Sequence, residues 1–167
     1  MGILCDYWEE TPERVEYYHN NHTWPKRDRD LGLRYHEMGK SWRGFHKLFC
    51  AIGGNNSFPS NFILNGAVLP NYDVEEERKN NHHYYAELPS PFLYSVEKTR
   101  MIADFLDSLD MVKLRQGFDT LVLDKYKSGY EEELDDSFFE AYQTFQKIQR
   151  FFHIVASRNH CVIGRTT

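Results

Sequence analysis

The stretch Leu134 to Arg165, LDDSFFEAYQTFQKIQRFFHIVASRNHCVIGR, decides the reading of this chain. Apolar residues recur at Leu134, Phe138, Ala141, Tyr142, Phe145, Ile148, Phe152 and Val155. That is the i, i+3, i+4, i+7 rhythm of a helix with one buried face. Glu140, Gln143, Lys147, Gln149 and Arg150 fall on the other face. Ser137 with Glu140 makes a capping-box pattern, and Asp135 and Asp136 sit where the helix dipole favours negative charge. Asn159 suits the left-handed position that ends a helix, with Arg158 and His160 at its negative end. Cys161-Val162-Ile163 then reads as a strand buried on both faces. So large an aromatic helix face needs a sheet or other helices against it.

Working back along the chain, Ile3 to Trp8 reads as a first strand. Thr11-Pro12-Glu13 opens a short helix that ends near Asn20-Asn21. A loop follows from His22 to Gly39, with a short extended piece at Leu33 to His36. A second helix from Lys40 to Ala51 places Trp42, Phe45, Leu48 and Phe49 on one face, and Gly53-Gly54 closes it. A short helical piece is expected at Asn61 to Leu64, a charged loop at Asp73 to Asn81 and a strand at His83 to Leu88. Pro89 and Pro91 force extended chain after it. Ser95 caps a third helix that buries Ile102, Phe105, Leu106 and Leu109. Asp110 caps a one- or two-turn helix that Gly117 ends, and Phe118 to Tyr126 forms another. The expectation is a single α+β domain over 1–167, a small sheet packed with helices in layers. The long helix and the closing strand come last.

Composition supports a packed core. Apolar residues make up 41% of the 167 residues and aromatics 16%, enough to exclude disorder over the whole chain. The net charge of −5 argues against nonspecific binding to nucleic acid. The one basic cluster, Lys26-Arg27-Asp28-Arg29, is interrupted by acid and reads as a solvated loop. No apolar run is long enough for a membrane helix. The opening Met1-Gly2-Ile3-Leu4-Cys5-Asp6 has neither the basic flank of a signal peptide nor the Ser or Thr of a myristoylation site. Cys5, Cys50 and Cys161 are odd in number and widely spaced, which fits reduced thiols in a cytoplasmic protein.

Several stretches together resemble the YfbM-like family, small bacterial proteins with a domain of unknown function. Met38-Gly39-Lys40-Ser41-Trp42-Arg43-Gly44-Phe45-His46 is similar to the family's Asp-Lys-x-Trp-x-x-Leu-His segment. Asn65-Gly66-Ala67-Val68-Leu69 is similar to its Ala-Val/Ile-Leu-Gly element. Phe105-Leu106-Asp107-Ser108-Leu109-Asp110 with Leu114-Arg115 and Phe118, then Phe138 through His160, complete the match in order. Gly39 departs from the family's capping Asp, and Cys50-Ala51 stands in place of its Thr-Gly. The resemblance implies a compact fold of helices on a small sheet, and it implies no reaction.

The candidate site follows from the second helix. Trp42 and His46 are one helical turn apart and share a face. An indole to stack a flat ligand and a histidine to move a proton would make a pocket wall, with Lys40 or Arg43 holding an anionic group. The competing reading is a core tryptophan with a hydrogen-bonded histidine at its edge. Cys50, one turn after His46, makes a Cys–His nucleophile conceivable. Its place near the helix C-terminus opposes a thiolate. Glu16 with His19 is half of a di-iron motif without its second half. His22, His82 and His83 read as surface residues, so no metal or cofactor is expected. The aromatic run Tyr84-Tyr85 and Pro91-Phe92-Tyr94 reads as core before sticky edge. A non-enzymatic binding or interaction module, for a small molecule or a protein, is the leading function. An enzyme using His46 as general acid/base and a structural homo-oligomer are the alternatives.

Overall fold

A computed structural model describes residues 5–21, 34–39, 42–54, 57–64, 67–68, 92–128 and 138–166. Among these, five strands form one antiparallel sheet: β1 (Cys5–Glu10), β2 (Tyr35–Gly39), β3 (Ala67–Val68), β4 (Phe92–Tyr94) and β5 (Cys161–Thr166). Their order is β2-β1-β5-β4-β3. The five α-helices are α1 (Pro12–Asn21), α2 (Trp42–Gly53), α3 (Val96–Asp107), α4 (Met111–Ser128) and α5 (Phe138–Ser157), with a 3-10 turn at Phe62–Leu64. The fold is α+β, with the long helix followed by a strand, as the sequence predicts.

β5 lies at the centre of the sheet rather than at an edge. Its residues pair with β1 from Cys161 opposite Glu10 to Thr166 opposite Cys5. On its other side Val162 pairs with Tyr94, and Gly164 with Phe92. The period of two puts Cys5, Tyr7, Phe92, Tyr94 and Val162 on an inner face, where they join the main core. Trp8 and Ile163 pack together on the opposite face, beside Tyr35 and Leu93. The inner face is unusually aromatic: the Tyr7 ring meets Phe92 at 6.1 Å and Phe152 at 5.6 Å, both edge to face. The Tyr94 hydroxyl donates to the Phe62 carbonyl and so ties the 3-10 turn to the sheet.

α5 carries the predicted face inward. Ala141, Phe145, Ile148, Phe152 and Val155 are buried, and Phe151 joins them. Asn159 has a φ of 57°, the left-handed conformation foreseen for the helix end. Ser95 caps α3 by accepting from the Lys98 N–H, and Asp110 caps α4 by accepting from the Lys113 N–H.

Three expectations need correction. Gly117 does not end a helix: α4 runs unbroken through it. A Cβ there would lie 2.7 Å from Ile52 Cγ1 and 2.9 Å from Leu48 Cδ1, so this glycine lets α4 approach α2 closely. The short extended piece expected at Leu33 to His36 is strand β2, which runs on to Gly39. The first strand extends past Trp8 to Glu10 and carries two buried acids. The expectations on Lys40, the 26–30 basic cluster, the 73–81 loop, the 83–88 strand, and the helix start at 134–137 lie outside the described residues.

Candidate functional site

α2 begins at Trp42, whose spacing from Phe45 and Phe49 turns the indole into the core, where it is 3% exposed. It offers no open face to a flat ligand, which corrects the platform expectation. The Arg43 guanidinium lies 5.2 Å from the indole ring centroid, while the arginine itself is exposed. His46 is half-buried on the solvent edge of the helix. Burial, with the Lys47 charge beside it, lowers its proton affinity below the usual histidine value and leaves the ring neutral at pH 7.

Cys50 sits one turn further on, and burial pushes its thiol up. Its Sγ lies 4.0 Å from His46 Nδ1 and 3.9 Å from Nε2. The lone pairs and N–H bonds of imidazole lie in the ring plane and point outward from each nitrogen. A sulfur on either axis would be much nearer one nitrogen than the other. Equal distances therefore describe a sulfur–ring contact, not a hydrogen bond along which a proton can pass. A thiol pushed up beside a neutral imidazole is also the opposite of an activated nucleophile. Arg43, His46, Lys47 and Cys50 thus share the outward face of α2 without forming a nucleophilic pair.

A second cluster, missed in the sequence, forms where β1 meets β5. Glu9 is fully buried. Its carboxylate accepts from the Arg34 backbone N–H at 2.9 Å, from Arg158 Nη1 at 3.1 Å to each oxygen, and from His160 Nδ1 at 2.6 Å. Burial works to raise its pKa, but the hydrogen bonds from Arg34, His160 and Arg158 outweigh it and hold the carboxyl below its ordinary value. Glu10, also buried, accepts from the Thr11 N–H at 3.0 Å and the Tyr18 hydroxyl at 3.3 Å, and pairs with Arg14 Nε at 2.9 Å. Here burial wins and the carboxyl is raised. Two adjacent carboxyls are thus pushed apart by their surroundings, a mark of functional clusters and of structural ion pairs alike. The available signal was Glu9-Glu10 itself, two acids closing an aromatic strand. Arg158 and His160, expected to serve the end of α5, face Glu9 instead.

No three His, Cys, Asp or Glu side chains among the described residues converge as metal ligands. No described helix is long and apolar enough to cross a membrane. His19 is exposed on α1, and His153 pairs with Asp107 on the surface at 2.8 Å.

A comparison with solved structures finds a protein of unknown function, YfbM from Escherichia coli, at 17% identity and a TM-score of 0.55. The match covers 98% of this chain and 99% of that one, and it shows a shared fold alone. No curated protein matches. The family model for a domain of unknown function, DUF1877, matches residues 1–164, nearly the whole length, and the chain therefore belongs to the DUF1877 family.

Proposed function

We propose that this chain is a non-enzymatic interaction module of the cytoplasm that works as a single unit. Its partner is a protein that presents an acidic segment to the outward face of α2. The observation behind this reading is charge. In a chain of net charge −5, the twelve residues of α2 include no Asp or Glu, and Arg43 and Lys47 are exposed around His46. A local basic stripe on an acidic protein attracts an anionic surface, while the net negative charge of the rest repels it elsewhere. Arg43 is steadied by its contact with the Trp42 ring, so less side-chain freedom is lost on binding.

The test is a fluorescence-anisotropy titration with a labelled acidic peptide, run at several salt concentrations. Binding should weaken as salt rises, and Lys47→Glu should reduce it at least about tenfold by reversing one charge and creating a repulsive contact. The melting temperature should stay near wild type, because Lys47 is exposed. Unchanged binding in Lys47→Glu, or binding of inorganic pyrophosphate in place of the peptide, would refute the reading.

The enzymatic alternative has one observation in its favour. Burial lowers the proton affinity of His46 and so favours the unprotonated ring that a general base requires. On that reading His46→Gln abolishes turnover of a small ligand while Lys47→Glu changes only its binding.

A further inference from the structure

Glu9 is bonded from three parts of the chain: the backbone before β2, the end of α5 and the first residue before β5. Arg158 alone would balance its charge. The bond to His160 adds something that charge balance does not require. A carboxylate held ionised only accepts, so His160 must carry a hydrogen on Nδ1. In the neutral ring the lone pair then sits on Nε2. No described residue bonds Nε2, and 25% of the His160 side chain is exposed. Arg158 meets Glu9 through Nη1, no described residue bonds its Nε or Nη2, and 43% of its side chain is exposed. The left-handed Asn159 between them turns both side chains to the same carboxylate. One buried acid therefore orients an imidazole and a guanidinium side by side.

We propose that Glu9 sets His160 and Arg158 as a second site, separate from the α2 face, that takes a small hydroxy acid. Nε2 of His160 accepts the ligand hydroxyl and Arg158 donates to the ligand carboxylate. His160 Nδ1 and Arg158 Nη1 both bond Glu9 Oε1, at 2.6 Å and 3.1 Å, which brings the two side chains near enough to meet one small ligand. The imidazole is fixed in advance, so the hydroxyl meets an acceptor that needs no reorientation, and the site can draw the hydroxyl proton toward Nε2. Tyr18, Arg14 and Glu10 bond one another beside it and are not needed for contact.

The wild-type full-length protein suffices for the test. Long-range nitrogen–proton NMR above pH 8 reads the tautomer, and the proposal expects the hydrogen of His160 on Nδ1. Carbethoxylation by diethyl pyrocarbonate, mapped by peptide mass, then reads access to Nε2. His153 is the internal comparison, being a surface histidine with its own carboxylate partner. His160 should react within about fivefold of His153. Lactate should slow the reaction of His160 at least threefold and leave His153 unchanged, whereas propionate, which lacks the hydroxyl, should protect neither. A hydrogen on Nε2, a His160 that does not react, no protection by lactate, or equal protection by propionate would each overturn the proposal. All four leave the acidic-peptide titration of the α2 face untouched.

Discussion

Replacing Gly164 with alanine tests the centre of the sheet. Gly164 stands opposite Phe92 in β4 and Tyr7 in β1. A Cβ at this position would fall 1.9 Å from Phe92 Cε2 and 2.2 Å from Cζ. Ordinary contact begins near 3.4 Å, so the ring would have to retreat by roughly 1.5 Å. It cannot do so freely, because Phe92 is 1% exposed and its ring lies 5.4 Å from Tyr94 and 6.1 Å from Tyr7. Overpacking of this kind costs about 2–3 kcal/mol, against which the alanine regains only about 0.5–1 kcal/mol of strand preference over glycine. Urea unfolding followed by circular dichroism should show the loss as a lower midpoint at an unchanged slope. Phe92→Leu removes the two nearest of the three clashing ring atoms, Cε2 and Cζ. The double variant should therefore be more stable than the sum of the single changes predicts, by about 1–2 kcal/mol. A loss under about 0.5 kcal/mol for Gly164→Ala, or strict additivity with Phe92→Leu, would refute the packing argument.

Acid should weaken the fold partly through His36. Burial, with Lys147 nearby, lowers its pKa from 6.5 to about 4, and its Nε2 is buried without a partner. The unfolded chain binds this proton more readily, so stability falls as pH drops through about 6.5 and the loss is complete below about 4, reaching about 3 kcal/mol. His36→Phe, which keeps the ring contact to Phe151, should flatten that part of the stability–pH curve, and identical curves for the two proteins would refute it. Phe145→Ala should cost ~3–5 kcal/mol, because the ring is 2% exposed between Phe49 and Tyr142; a chemical-denaturation loss below ~1 kcal/mol would place it on the wrong face. Deleting residues 161–167 should abolish cooperative melting, since it strips hydrogen-bond partners from β1 and β4 together, and a truncated protein with a sharp thermal transition would contradict the central place of β5.

The parts of the fold that were legible in sequence are those whose burial follows a simple period. Phe145, Ile148, Phe152 and Val155 announce α5 because a helix with one wet face must repeat its apolar residues. Asn159 announces its end because few other residues adopt a positive φ cheaply. Gly117 misled for the same reason that makes glycine informative. It serves equally as a helix end or as a place for two helices to touch, and only the position of Ile52 distinguishes the two. β4 is three residues long and follows a proline, too short for alternation to show. At the candidate site, the one-turn spacing of His46 and Cys50 was legible, and the structure brings the two side chains into contact. Spacing could not show that Trp42 would be closed over by the core. The Glu9 cluster was beyond local reading altogether, because its partner His160 lies 151 positions away.

That separation has a consequence for how the protein is made. At roughly 5–20 residues per second, β1 leaves the ribosome several seconds or more before β5 is synthesised. Until then Tyr7 and Trp8 have no β5 residue to lie against, and Glu9 has neither Arg158 nor His160. The β1–β2 hairpin cannot be completed into a sheet by anything between them, since β4 and β3 join it only through β5. Of the helices made in that interval, α3 lacks both α5 and β5, while α2 and α4 can pack on each other. The aromatic strand of this chain thus stays open to nascent-chain chaperones until β5 is made, and the sheet closes only then.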